Sequence, residues 1–359
     1  MSRPSVVLAN LVAMCLCPAL GAQTSSKPSP AGVADAPASY HVSFERRDAI
    51  PSVVSTSTIA LPFQCTSDGT IFVNFATPPP PGAASPVPTY HLVSISRSGV
   101  PHTFALERAP GLYSVSEVDH FAHGSGLVFL VRATPDATAT DLNKKPKPRR
   151  YSYLLSFDRD GTYQRSIQLE DGLRIERIAV FPSGGLLAFG FDPHDHVPKL
   201  VMLRADGTYL KSLDVPSGAM PDSAVGTEGA RRGVLTAGEF VRLGSSILML
   251  QDRNDLPILE ISQQGSVKVF HAQLPEGVHL VDFIPSDSGL FALVNGEAGA
   301  GGGAVYELQP EDGSLSRIFT MDDWRDAAAV ACVHDGKFLS IDHGDASVTL
   351  LVGTARLSR

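Results

Sequence analysis

The sequence predicts an all-β fold, a six-bladed β-propeller of four-stranded antiparallel blades. Two hairpins carry the first observation: residues 151–170 and 199–215 each contain two alternating apolar runs joined by the turn D-G-T-Y. Such a turn is typical of a β-hairpin, because glycine accepts the positive φ that a side chain resists. The second observation is that the turn glycines, Gly161 and Gly207, are separated by roughly the 40–50 residues of a propeller blade. The third is an incomplete unit at the end of the chain.

The alternating runs fall into six units, each with strands a to d in chain order. Their predicted bounds, unit by unit, are 59–65, 70–75, 90–96 and 102–107; 116–122, 127–133, 151–157 and 162–169; 174–181, 186–191, 199–204 and 208–215; 239–244, 247–252, 257–262 and 266–272; 278–284, 290–295, 304–309 and 314–320; and 327–333, 337–342 and 347–352. Unit six lacks strand d, whereas a run at 40–45 has no hairpin partner. Propellers leave no open sheet edge when strands from both termini complete one blade. We therefore expect 40–45 to complete the last blade of a propeller domain spanning 39–355.

The segment before this domain has the pattern of an exported protein. Residues 1–22 resemble a signal peptide, with Arg3 before an apolar run at 6–20 that is too short to span a membrane comfortably. Residues 23–38 are rich in Ser, Pro and Ala and predict a flexible tether. No later run of about 18 apolar residues occurs. We expect a secreted or periplasmic protein with no transmembrane span after signal cleavage.

The charge of the chain narrows the class of partner. The net charge is −8 and only 18% of residues are charged, against about 25% in an average globular protein. An acidic protein is not expected to bind nucleic acid or anionic membranes through its overall field. The sequence contains no phosphate loop and no dinucleotide fingerprint. We expect a monomer with an unknown protein, peptide or glycan partner and no required cofactor.

Two cysteines remain after signal cleavage, at equivalent positions. Cys65 and Cys332 each lie four residues before a turn glycine, Gly69 and Gly336, on strand a of units that are neighbours across the closure. A disulfide there would join the ends of the ring, and export permits it. Equivalent positions on adjacent blades tend to point the same way, which works against the short Cα separation of a disulfide. We therefore favour two buried thiols, with a disulfide as the alternative.

The series of hairpins with D-G turns resembles the secreted six-bladed β-propellers of the broad NHL-like kind, over residues 39–355. The resemblance implies the ring architecture and its closure by strands from both termini. It does not imply one activity, because such propellers carry many unrelated functions.

Long connections indicate which face is functional. The segments 77–89, 134–150 and 216–237 all fall on the face formed by the b–c and d–a loops. Loops on a rigid scaffold often carry binding residues, so we expect this loop-bearing face to bind the partner. Its basic residues, which suit an anionic glycan, polymer or acidic partner or are simply solvated, are Lys144, Lys145, Lys147, Arg149, Arg150, Arg231 and Arg232.

Two smaller features belong to the same face. His194 and His196 alternate and so could share one metal ion, but no further ligand is identifiable, which favours a polar turn. Trp324, the only tryptophan, is either a stacking platform for a ligand or an aromatic packed between blades.

The predicted inner strands carry acidic and histidine residues near one end. They are Glu117, Asp119, His120, Glu176, Glu239, His279 and Asp282, with Asp326 just before the last inner strand. Inner strands line the central channel, so these groups can converge there on a divalent cation, Ca²⁺ or Zn²⁺, or on a sugar. A resemblance to gluconolactonase-type propellers implies the same, although their asparagine ligand has no counterpart in these strands. The alternative is a hydrated acidic channel.

No catalytic constellation accompanies these features, which favours binding over catalysis. The leading hypothesis is an exported binding or scaffold module that acts through the loop-bearing face. The alternatives are a metal-assisted hydrolase or lyase that uses the channel carboxylates, and an extracytoplasmic sensor joined to a partner by the segment 23–38.

Overall fold

The computed structural model describes residues 37–51, 58–77, 89–96, 100–135, 149–194, 197–216, 237–251, 257–296, 304–343 and 347–358. The chain divides into two compact parts, Met1–Ala36 and Pro37–Arg359, and every described residue belongs to the second. The predicted signal peptide at 1–22 and most of the tether at 23–38 therefore lie outside the described residues.

The described part consists almost entirely of β-strands. The strands are β1 (Ala38–Pro51), β2 (Thr58–Cys65), β3 (Ile71–Thr77), β4 (Thr89–Ile95), β5 (Pro101–Thr103), β6 (Tyr113–His123), β7 (Gly126–Thr134), β8 (Tyr151–Phe157), β9 (Tyr163–Gln168), β10 (Arg174–Val180), β11 (Leu186–Phe191), β12 (Pro198–Leu203), β13 (Tyr209–Ser212), β14 (Ala237–Leu243), β15 (Ser246–Gln251), β16 (Ile258–Ile261), β17 (Val267–Phe270), β18 (Val278–Ile284), β19 (Leu290–Gly296), β20 (Ala304–Leu308), β21 (Leu315–Thr320), β22 (Val330–His334), β23 (Lys337–His343) and β24 (Ser347–Leu357). A 3-10 turn at Leu106–Arg108 and a short helix α1 (Trp324–Ala328) are the helical elements of the described chain. Neither is long and apolar enough to cross a membrane.

The strands form consecutive antiparallel meanders. Units one to four are the four-stranded sheets β2–β5, β6–β9, β10–β13 and β14–β17, each in sequence order. Unit five (β18–β21) and unit six (β22–β24) belong with β1 to one eight-stranded sheet, ordered β18-β19-β20-β21-β1-β24-β23-β22. The prediction of six separate blades is therefore wrong in number of sheets, whereas the all-β class and the strand grouping are observed.

Strand β1 is the reason for the eight-stranded sheet. It pairs antiparallel with β24, from Tyr40↔Leu357 to Pro51↔Ser347, which is the closure expected of the run at 40–45. Its first residues also pair in parallel with β21, from Ala38↔Arg317 to His41↔Thr320. A strand has two hydrogen-bonding edges, and β1, longer than predicted, uses both. It begins at Ala38, the last residue assigned to the tether.

Hydrophobic clusters connect each unit to the next. Buried side chains join unit one to unit two, units two, three and four to one another, unit four to five, five to six, and six back to one. Phe72 and Phe129, for example, share the first of these clusters, whereas Val73 and Leu339 share the last. The units therefore follow one another around a closed, propeller-like ring.

The first strand of each unit is the inner one. Strands β2 and β6, β6 and β10, β10 and β14, β18 and β22, and β22 and β2 contact one another across unit boundaries. All six inner hairpins carry a register irregularity. Such irregularities increase local twist and redirect side chains, which suits strands that crowd together at the centre of a ring.

The D-G-T-Y turns are hairpin turns, as predicted. Gly161 has φ +78° and Gly207 has φ +84°. These turns also contact the preceding unit, since a Cβ on Gly161 would overlap the carbonyl oxygen of Thr103. Two lysines form similar contacts between later units. Nζ of Lys211 in unit three donates to the carbonyl of Gln264 in the turn of unit four at 2.6 Å. Nζ of Lys268 in unit four donates to the carbonyl of Pro310 in the turn of unit five at 2.8 Å.

Candidate functional site

The inner strands and their turns enclose a cavity at one end of the ring. Its volume is about 70 Å³, and its walls come from units one, two, four, five and six. Its lining includes the aromatic residues Phe63, Phe121 and Phe240 and the polar residues Gln64, Thr66, Ser67, Glu239, Arg242, Ser286, Asp287 and His334. Apart from Glu239 and Phe240, these residues lie near the C-terminal ends of inner strands or in the a–b turns that follow. The cavity therefore opens on the face that the a–b and c–d turns form, which we call the a–b turn face. The loop-bearing face, where we expect the partner to bind, is the opposite one, and that expectation stays a prediction.

Arg242 connects three units at this end. Its Nη2 donates to the backbone carbonyls of Ala122 at 3.0 Å and Val180 at 3.3 Å. Its guanidinium lies 5.6 Å from the centre of the Phe121 ring, a distance at which a cation and an aromatic face attract each other. Burial lowers the pKa of Arg242, and its Nε is buried without a hydrogen-bond partner. The side chain thus holds a positive charge beside the cavity.

Gln64 joins units one and two in a similar way. Its Nε2 donates to the carbonyl of His120 at 2.8 Å, and its Oε1 accepts from the amide of Ala122 at 2.5 Å. One amide side chain therefore replaces two hydrogen bonds of a β-ladder between strands that belong to different sheets.

Cys65 and Cys332 form a disulfide, which corrects our preference for two free thiols. Their Cα atoms are 6.2 Å apart, within the range of about 4.4–6.8 Å that a disulfide requires. Equivalent positions meet here because β2 and β22 run side by side at the centre of the ring. We expected both side chains to point the same way around the ring, but at these two strands the sulfur atoms meet.

The predicted channel residues are held in separate local interactions. Asp119 accepts a hydrogen bond from the amide of Ile178 at 2.9 Å and lies 4.0 Å from Arg177. Burial raises the pKa of Asp119 to about 6, against the opposing effect of the Arg177 charge. Glu117 lies 2.9 Å from Nδ1 of His120. These contacts join or brace inner strands and leave few carboxylate oxygens for a ligand.

The remaining members of this set are also spread out. Glu176 is buried between Arg132 at 2.8 Å and Arg174 at 2.5 Å. Asp282 accepts from the amide of Phe283 at 2.7 Å, and His279 is exposed. The pKa of Asp326, on α1, is raised by burial and then by neighbouring carboxylates. Of the predicted channel and metal residues, the cavity lining includes only Glu239.

A different group of potential ligands does converge. Asp287, His334 and Asp335 each offer one atom within 4.8 Å of the others. They belong to the a–b turns of units five and six, and Asp287 and His334 line the cavity. We missed them because D-S-G and H-D-G match ordinary hairpin turns. The sequence did contain one indication of this site: the a–b turns of two neighbouring units each carry an acidic residue.

The loop-bearing face is described in part. Arg149 pairs with Asp171 at 2.6 Å and lies 5.0 Å from the Tyr151 ring centre. Nη2 of Arg150 donates to the carbonyls of Ser114 and Arg132, both at 2.6 Å, so this residue braces the backbone. His194 is exposed. The predicted residues that lie outside the description are Lys144, Lys145, Lys147, His196, Arg231 and Arg232, together with the side chain of Trp324.

A second cavity, of about 160 Å³, lies between units two and three. Its walls are mainly apolar, and His123 and Arg165 are among its few polar residues. Burial lowers the pKa of His123, and the charges of Arg242 and Arg165 lower it further. The electrostatic potential around His123 is therefore positive.

Comparison with known proteins gives distant structural similarity only. No family model matches the sequence, and no curated protein matches it. A protein of unknown function from Bacteroides caccae is 13% identical, with a TM-score of 0.38 over 73% of this chain and 86% of that one. A member of the DUF4221 family from Bacteroides vulgatus is 7% identical, with a TM-score of 0.41 over 88% of this chain and 99% of that one.

An enzyme is also among the similar structures. The sialidase of Trypanosoma rangeli is 12% identical, with a TM-score of 0.42, and the match covers 86% of this chain but 59% of the sialidase. Similarity at this level does not support transfer of an activity, a substrate or a site.

Proposed function

We propose that this protein is an exported six-bladed β-propeller of the NHL-like kind that acts as a binding or scaffold module for a protein or peptide. In this proposal the eight-stranded sheet represents two blades that β1 joins at the closure. The partner inserts one apolar anchor side chain into the cavity on the a–b turn face. The protein acts as a monomer in a secreted or periplasmic location.

The size and lining of the cavity carry this proposal. Its volume is about 70 Å³, whereas sites that enclose small-molecule ligands have about 300–1,000 Å³. A space this small suits the end of one side chain. Phe63, Phe121 and Phe240 form apolar walls around it. Anchors of this kind, inserted into desolvated pockets, dominate the binding energy of many protein interfaces.

The disulfide supports the proposed location. Disulfides persist in oxidising compartments and are rare in the cytosol. The Cys65–Cys332 disulfide joins units one and six, so it belongs to the closure of the ring. Fractionation of cells that express the full chain, with N-terminal sequencing of the mature protein, tests both export and cleavage near residue 22.

Filling the cavity tests the anchor. Ala122 is buried in the cavity wall, so Ala122→Leu removes space without adding charge. We expect peptides selected from a displayed library on the wild type to lose at least tenfold in affinity for this variant. The control variant, Leu210→Ala, alters an exposed side chain on β13 and leaves affinity unchanged. Equal affinity of the selected peptides for wild type and Ala122→Leu, with both proteins folded, would contradict the proposal.

The loop-bearing face is a second candidate contact. Arg149 keeps 69% of its side chain exposed. In the sequence it follows the basic residues Lys144, Lys145 and Lys147, which supports a contact with an acidic partner. Peptide binding by a variant without residues 134–148 tests this contribution, and it leaves Arg149 and Arg150 in place. Unchanged affinity for acidic peptides would show that this loop does not contribute to binding.

A metal-assisted hydrolase or lyase is the alternative function. Glu239 and His334 both line the cavity, which favours it. If this alternative holds, Glu239→Gln abolishes turnover of a responsive substrate while peptide binding persists. Turnover that survives this substitution would exclude a catalytic role for Glu239.

A further inference from the structure

We infer that Asp287, His334 and Asp335 form a binding site for a divalent transition-metal ion between the a–b turns of units five and six. Nδ1 of His334 lies 2.9 Å from Oδ2 of Asp287, and Nε2 of His334 lies 3.4 Å from Oδ2 of Asp335. The inference does not depend on the proposed peptide partner, because it concerns the ion alone.

The buried histidine points to a ligand. Only 9% of the His334 side chain is exposed, and its Nδ1 is buried without a hydrogen-bond partner. The Asp287 oxygen, 2.9 Å away, does not form a hydrogen bond with this nitrogen. A buried polar nitrogen left without a partner destabilises the folded state. An ion bound to both atoms removes that cost.

The separation of the two atoms suits one ion. At metal–ligand bonds of about 2.0–2.1 Å, ligand atoms 2.9 Å apart subtend roughly 90° at the metal. That angle is ordinary for adjacent ligands in five- or six-coordinate sites. Asp335 keeps 69% of its side chain exposed, so its carboxylate has freedom to complete the set.

The backbone holds the two turns together before any ion binds. The amide of Val333 donates to the carbonyl of Pro285 at 2.9 Å, and Ser286 forms a parallel bridge with Val333. The amide of Asp335 donates to Oδ2 of Asp287 at 3.2 Å. Nδ1 of His334 and Oδ2 of Asp287 are thus held close together, although they come from turns far apart in sequence.

The donor set selects the class of ion. One imidazole nitrogen with two carboxylates suits Zn²⁺ or Mn²⁺, whereas Ca²⁺ prefers six to eight oxygen ligands. The two cysteines of the described chain are joined in the disulfide and supply no thiolate. Water molecules would occupy the remaining positions.

Titration of the folded, chelator-treated protein with Zn²⁺ and with Mn²⁺ tests the site, with no peptide present. We expect one ion per chain by calorimetry and a higher melting temperature with either ion. His334→Gln and Asp287→Asn should each weaken binding at least tenfold. His102→Gln is the matched control, because His102 also lies near a carboxylate, Asp160, at 3.5 Å, but on the surface. That variant should bind as the wild type does.

Asp335→Asn serves as a second variant that should fold normally, because the Asp335 side chain is exposed and lies outside the core. We expect it to bind the ion more weakly than the wild type and to keep the same fold. Co²⁺ added to the wild type should give the visible absorption bands of a nitrogen- and oxygen-ligated ion, and His334→Gln should abolish them. Absence of one-to-one binding in the wild type, or equal binding by wild type and His334→Gln, would overturn the inference.

Discussion

Single half-buried polar residues connect neighbouring units around the inner ring. Gln64 and Asp119 pair with backbone groups of the next unit, and Arg242 reaches two preceding ones. Inner strands of separate sheets do not share a ladder, so side chains satisfy backbone groups between them. Of the acidic residues that we assigned to a channel site, Asp119 and Glu176 thus link neighbouring units, and Glu239 lines the cavity.

Replacing Arg242 should destabilise the fold strongly. Arg242→Met leaves the carbonyls of Ala122 and Val180 without their charged donor. Hydrogen bonds to charged groups contribute about 1.5–3 kcal/mol, and unsatisfied buried partners add to the loss. We expect the free energy of unfolding, measured in urea, to fall by about 2–4 kcal/mol. Arg204→Met, on an exposed turn, is the control and should change it by less than about 1 kcal/mol.

Asp119 should make stability depend on pH between about 4 and 6. Its folded pKa is raised from 3.8 to about 6, so the folded state binds a proton that the unfolded state has released. This contribution to stability is present below the unfolded pKa and is lost as pH rises through the folded pKa. A shift of two units corresponds to roughly 3 kcal/mol. Because 18% of the side chain is exposed, we expect about 1–3 kcal/mol.

Asp119→Asn isolates this effect, because it keeps an oxygen acceptor for the amide of Ile178 and does not ionise. As pH rises from 3.5 to 6.5, the unfolding free energy of the wild type should fall relative to that of the variant. Parallel pH profiles for the two proteins would contradict the assignment of the raised pKa to Asp119.

At the scale of elements, the hairpin turns between strands c and d have two roles. Their glycines close the hairpin with positive φ and also contact the preceding unit without a side chain. Local turn chemistry predicts the first role from D-G alone. The second depends on how units pack and is absent from any single hairpin.

Gly313→Ala should therefore cost more stability than a substitution at an isolated turn. Gly313 has φ +77°, and an added Cβ would overlap the carbonyl oxygen of His271. Gly124 has φ +61° with no atom near the added Cβ. Both variants lose roughly 1–2 kcal/mol through backbone strain, and overlap adds about 1–3 kcal/mol for Gly313→Ala. Urea unfolding of the two variants measures the difference; equal losses would exclude the packing role.

For the whole molecule, closure of the ring depends on two long-range features. One is β1, which lies between β24 and β21. The other is the Cys65–Cys332 disulfide, between residues 267 positions apart in sequence. Both link the beginning of the described chain to its end, so they hold together units that have no short connection.

Removing the disulfide should destabilise the ring. Closing a long loop lowers the entropy of the unfolded chain, and loss of a native disulfide costs about 2–5 kcal/mol. We expect the double variant Cys65→Ala and Cys332→Ala to melt at a lower temperature than the wild type. Reductant should lower the melting temperature of the wild type and leave the double variant unchanged. A wild type insensitive to reductant, with the disulfide verified as reduced, would contradict this role.

Removing β1 should expose two sheet edges. A chain that begins at residue 52 leaves β24 and β21 without their partner, and open edges promote association between molecules. We expect aggregation of this chain in light scattering, whereas a chain that begins at residue 37 remains dispersed. Equal dispersion of both chains would show that β1 is dispensable for closure.

The sequence by itself determined the all-β class, the strand order and the D-G turns, because alternation and turn chemistry act over a few residues. Pairing of the first strand with the last was also predictable, since the last unit contains only three strands and lacks strand d. Only the tertiary structure decided which polar residues meet. Cys65 with Cys332, Asp287 with His334, and β1 with β21 come together through the register between units. That register depends on packing across the whole ring, which no local pattern records.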